Sequence, residues 1–134
     1  MAKRKVCVVP CSGMGKALGS VAREAGFILG EDLRPDTTFI ICIPSLTAGV
    51  GEHSEMIRTN PVIVIDGCVE RCATRIATRA GADIKRSFFL PQSIMKYGHK
   101  PKGREDIGVE GEKLAKKIAE DVAVSADEFS SGLR

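Results

Sequence analysis

Three short runs of β-branched and other apolar residues, 6–10 (VCVVP), 37–43 (TTFIICI) and 62–65 (VIVI), show no alternation of polar and apolar positions. A strand with one wet face alternates. A strand covered on both faces does not, and such strands belong to parallel sheets held between two helical layers. The segments between them read as helices. Residues 16–27 carry Leu18, Val21, Ala22 and Ala25 at helical spacing, with Gly26 as a stop. Residues 52–59 predict a short helix ended by Asn60 and Pro61, and 67–80 predict a helix closed by Gly81. Residues 83–90 read as a fourth strand, and 109–124 as a long helix with Leu114, Ile118 and Val122 in register. Residues 44–51 read as a loop of small residues, 93–97 as ambiguous, 97–103 as a basic loop and 125–134 as a frayed tail. The expected fold class is α/β: a small, open, mostly parallel sheet of about four strands with helices on both faces. In such sheets the site lies outside the carboxyl ends of the strands, where the strand order reverses.

Composition narrows the function classes. The 134 residues suffice for one domain, 1–134, and are too few for two ordinary ones. One Tyr, five Phe and no Trp argue against a surface that stacks nucleic-acid bases. A net charge of +3, with Lys3, Arg4 and Lys5 at one end, is too mild for a nucleic-acid footprint. No apolar run approaches the ~20 residues of a membrane helix. Residues 1–5 lead into the first strand without a signal-peptide core, so a cytoplasmic location is expected. In that reducing setting, five cysteines point to metal ligands, reactive thiols or core residues rather than to disulfides.

Four of those cysteines fall where the fold would put a site. Cys11 follows the first strand, Cys42 ends the second, Cys68 follows the third by two residues, and Cys72 lies four further on. On a helix, positions i and i+4 have Cβ atoms roughly 5–6 Å apart, whereas a disulfide wants about 3.8 Å. Two thiolates on a tetrahedral zinc, at about 2.3 Å each, suit that spacing better. Four thiols from three loops predict a zinc site made by Cys11, Cys42, Cys68 and Cys72, with Asp66 and Ser12 placed to orient them. Lys16, Arg71 and Arg75 would offset the negative charge of such a site. Ligation by four cysteines also suits an iron–sulfur cluster. A third reading is thiol chemistry, with Cys11 at a helix start as nucleophile and Cys68 or Cys72 resolving it. If Cys42 is only a small strand-end residue, three thiolates would leave a position open to water or substrate. Cys7, in mid-strand, reads as core, and His53 and His99 read as surface residues without partner motifs.

The glycine-rich loop 11–15 (CSGMG) matches no phosphate-binding fingerprint. A P-loop would need Gly at Pro10 and Ser or Thr at Ala17. A dinucleotide fingerprint would need Gly at Leu18, and a cysteine phosphatase loop would need Arg at Ala17. Gly13 and Gly15 instead allow a tight strand-to-helix turn, where a small anionic ligand has room at the helix start.

Cys11-Ser12-Gly13, the small-residue loop after Cys42, and Asp66-Gly67-Cys68-Val69-Glu70-Arg71-Cys72-Ala73 resemble the DGC-domain family, small prokaryotic proteins named for their Asp-Gly-Cys motif. The resemblance spans about residues 6–90. It implies that Cys11, Cys42, Cys68 and Cys72 are the shared cysteines and that they bind zinc. It implies no reaction.

Overall fold

The computed structural model describes residues 5–130. Strand β1 (Val6–Pro10) leads to helix α1 (Ala17–Phe27), which continues as a π-helical turn, Ile28–Leu33, before strand β2 (Thr38–Ile40). Helices α2 (Ile43–Ala48) and α3 (Gly51–Thr59) lead to β3 (Pro61–Asp66), α4 (Cys72–Arg79) and β4 (Asp83–Phe89). Helices α5 (Leu90–Tyr97) and α6 (Gly108–Ser130) complete the chain's order. All four strands are parallel, in the order β2-β1-β3-β4. The expected α/β sheet is therefore present. Its order reverses between β1 and β3, which makes the carboxyl ends of those two strands the place for a ligand.

The lack of alternation in β1 and β3 has a direct cause, since every residue of both strands is buried. On one face Val6, Val8, Ile63 and Ile65 pack with Val21, Ala22 and Ala25 of α1 and with Leu114, Ile118 and Val122 of α6. On the other, Cys7, Val9, Val62 and Val64 pack with Leu46, Ile57, Ala73 and Ala77 from α2, α3 and α4. Each large aliphatic side chain so removed from water contributes about 1.5–3 kcal/mol. Strand β4 is an edge. Its register slips between Val62 and Ile63, which pairs Ile84 and then Arg86 and leaves Lys85 unpaired. A bulge with charged residues blunts an edge against pairing with another chain.

Five sequence-based boundaries need correction. The strand expected over 37–43 runs only from Thr38 to Ile40, so Cys42 stands two residues past its end, directly ahead of α2. The helix expected over 67–80 begins only at Cys72. The loop expected over 44–51 contains α2, where Pro44 stands in the first turn and Gly49, at φ 71°, ends the helix. The ambiguous segment 93–97 is the end of α5, another helix with Pro in its first turn. The tail expected from 125 onward is helical to Ser130, and Ala126 and Phe129 are buried. It is held by an Arg34–Asp127 ion pair at 2.7 Å and by Arg86, whose guanidinium lies 5.3 Å from the Phe129 ring centre. Residues 131–134 of that tail, and Lys3 and Arg4, lie outside the described residues.

Candidate functional site

The two loops at the switch point are built on each other. Cys11 extends the β1–β3 ladder by donating its N–H to the Ile65 carbonyl at 2.8 Å. The chain then turns through 11–16, and the Ser12 hydroxyl donates back to the Pro10 carbonyl at 3.3 Å. A Cβ on Gly19, in the first turn of α1, would collide with the Gly13 carbonyl, so this loop lies directly on the helix. A Cβ on Gly67 would stand 3.0 Å from the Leu18 carbonyl carbon and 3.1 Å from the Gly19 nitrogen. Glycine at these positions lets the β3–α4 turn press against the start of α1.

Asp66 explains why the second cysteine segment is not one helix. The residue is fully buried, and its Oδ1 accepts the N–H of Ala73 at 3.0 Å and of Thr74 at 3.4 Å. Its Oδ2 accepts the Thr74 hydroxyl. The carboxylate thus satisfies donors of the first turn of α4, the task a capping side chain performs. The five residues 67–71 are left to span the gap as a turn closed by the Arg71 N–H on the Cys68 carbonyl at 3.0 Å. Arg71 has φ 51°, alone among the described non-glycine residues in having a positive value. Its guanidinium lies 4.2 Å from the Phe89 ring centre. The Arg75 Nε donates to the Glu70 carbonyl at 2.7 Å. Both arginines expected to offset thiolate charge are therefore engaged in holding the turn, while Lys16 is exposed ahead of α1.

Cys68 and Cys72 do not share a helix face, so the i, i+4 spacing argument does not apply to them. Cys68 sits half-buried in the turn, and Cys72 is exposed at the first position of α4. Cys11, at the end of the neighbouring strand, is half-buried. The Cys72 thiol feels the other two. Partial desolvation pushes the Cys72 thiol up, and negative charge on Cys11 and Cys68, then on Glu70 and Asp66, pushes it further. As Cys72 is exposed, we read the crowding by like charge as the more informative cause.

Cys42 follows the edge strand β2, beside β1. It is exposed where β2 gives way to α2, and the Ser45 backbone N–H, then the Ser45 hydroxyl, hold its thiol below the ordinary range. This is an electrostatic preference for the thiolate rather than a formed cap, since Cys42 makes no side-chain cap hydrogen bond to α2. Its N–H donates to His53 Nδ1 at 3.0 Å, and the His53 ring lies 5.0 Å from that of Phe39. Sequence reasoning missed this link, because two residues eleven apart on different elements carry no periodic signal. Ser12 and Cys42 both line a cavity of about 420 Å³ beside α1 and the π-helical turn. Ser12 therefore stands on the side of the loop toward Cys42. Cys7 is core, as expected: it is fully buried, its thiol lies 3.4 Å from the Met56 carbonyl, and burial pushes its pKa up to about 12. His99 pairs with Glu110 at 2.8 Å.

The donor set at the switch point, three thiols, suits a soft metal such as zinc. Its present arrangement is not a closed cage. Among the described residues no group of three or more His, Cys, Asp and Glu side chains stands ready to hold a metal ion. No helix among them is long and apolar enough to cross a membrane.

A family model described as the DGC domain matches residues 7–122. No curated protein and no solved structure matches the chain.

Proposed function

The chain belongs to the DGC-domain family, and from that premise we propose that it binds zinc through the thiolates of Cys11, Cys68 and Cys72. The observation that carries this reading is topological: Cys11 and the turn bearing Cys68 end the two strands that flank the switch point, and Cys72 opens the helix that follows. Two helices, α1 and α4, begin there, and their N-terminal ends favour negative charge. Because the thiols do not form a cage, a bound zinc would have to draw loop 11–16 and turn 67–71 together. Asp66 fixes the start of α4 and so positions Cys72. Cys42 stands outside the set. A bound zinc would act there as a structural link or, at an open fourth position, as a Lewis acid.

Metal analysis of anaerobically purified protein tests the reading. Native protein and Cys42→Ser should hold stoichiometric zinc, whereas Cys11→Ser, Cys68→Ser and Cys72→Ser should lose most of it. Metal-free native protein would refute zinc binding, and brown protein containing iron would assign a cluster instead.

A second reading, thiol chemistry, has its own support at a residue other than the one the sequence favoured. Cys42 is exposed and its thiolate is favoured by Ser45. Thiolate character governs reactivity. In metal-free protein Cys42 should be the first thiol alkylated by iodoacetamide, and slower modification than at Cys11 would remove this reading.

A further inference from the structure

A second cavity, of about 380 Å³, opens between α2, α3 and α4. Its volume is in the range that holds a small organic ligand. Leu46 and Ile76 supply an apolar wall, and Arg58, Arg79 and Ser54 supply the polar one. It is remote from Cys72 along α4, since Arg79 is seven residues past it and a helix rises about 1.5 Å per residue, or about 10 Å.

Three observations say what the cavity takes. First, two arginines and no acid line it. Glu55 holds one arm of Arg58 at 2.9 Å from outside the lining, and no carboxylate pairs with Arg79 among the described residues. Second, the Ser54 hydroxyl is buried without a hydrogen-bond partner among the described residues. A buried hydroxyl is normally satisfied, so one left over at a cavity wall points to a missing acceptor or donor. Third, the Arg58 stem passes close to Gly81, its Cγ 3.8 Å from the place a Gly81 Cβ would take, so the absence of a side chain there leaves the stem room beside the cavity. Arg79 also complements the negative end of α4. That role needs only a solvated cation, and it explains neither the cavity nor the orphaned hydroxyl.

We propose that the cavity between α2, α3 and α4 binds a small organic oxyanion, its phosphate or carboxylate head on Arg58, Arg79 and Ser54 and its apolar body on Leu46 and Ile76. The planar guanidinium fork suits either head. The proposal is independent of zinc.

The experiment is an NMR titration of the full chain in phosphate-free, low-salt buffer, with phenyl phosphate, benzoate and the neutral control phenol as probes. Phenyl phosphate or benzoate should shift the Gly49 and Ser54 amides saturably at millimolar concentration, and phenol should not. Tighter binding of phenyl phosphate would assign a phosphate head, and the reverse a carboxylate. Arg79→Ala and Arg58→Ala, both at exposed positions, should each weaken binding by about tenfold, the loss expected of one charge-assisted hydrogen bond. Shifts confined to loop 11–16, equal shifts with phenol, or unchanged affinity in both arginine variants would overturn the proposal.

Discussion

Arg71 holds a backbone conformation that costs an ordinary side chain about 1–2 kcal/mol. Its stacking on Phe89 offsets part of that, about 0.5–1 kcal/mol. The two terms separate by substitution. Arg71→Gly removes the strain along with the stacking, so its stability should change by less than about 1 kcal/mol. Arg71→Ala keeps the strain and loses the stacking, so it should be the less stable variant by about 1 kcal/mol, read from urea unfolding midpoints. Cys7 allows a second test at this scale. Its thiol has a folded pKa of about 12 against an ordinary value of 9.0. The raised folded value means the contribution is full below pH 9 and is lost as pH rises toward 12, because the unfolded thiol ionises first. At pH 10 the loss should be about 1.4 kcal/mol. Thermal melts of native protein and Cys7→Ala should show it as a stability difference that shrinks above pH 9. A constant difference would mean that the thiol is not held neutral by burial.

At the scale of elements, the site depends on how closely two loops meet α1. Gly19→Ala sets a Cβ against the Gly13 carbonyl and should cost about 1–3 kcal/mol while displacing loop 11–16. Gly15→Ala meets no atom within 4 Å and should be nearly silent in the same unfolding assay. Strands β1 and β3 and helix α1 were legible from the sequence because burial on both faces and helical periodicity leave composition signals. Helix α2 was not. Its six residues are too few for a period, and Pro44 reads as a breaker although a first-turn Pro starts helices. The turn 67–71 was not legible either. Asp66 caps residues seven and eight positions ahead, a contact that neither spacing nor propensity encodes.

For the whole molecule, the strand order β2-β1-β3-β4 sets where each cysteine enters the carboxyl edge of the sheet. The alternation of strands and helices indicated a parallel sheet, and with it a shared edge for four thiols. It did not give the order, which places β1 and β3 at the centre and β2 at the rim. Cys11, Cys68 and Cys72 follow from the centre, and Cys42 from the rim. Zinc held by the central three should also stabilise the fold, since a ligand that binds only the folded state shifts unfolding. The proposed zinc site of the central thiols, with Cys42 outside it, can be tested directly by alkylating the native protein with and without saturating zinc and quantifying each cysteine by mass spectrometry. Zinc should protect Cys11, Cys68 and Cys72 together and leave Cys42 as reactive as before. Equal protection of Cys42, or no protection of the other three, would contradict a metal site built by the two central strands.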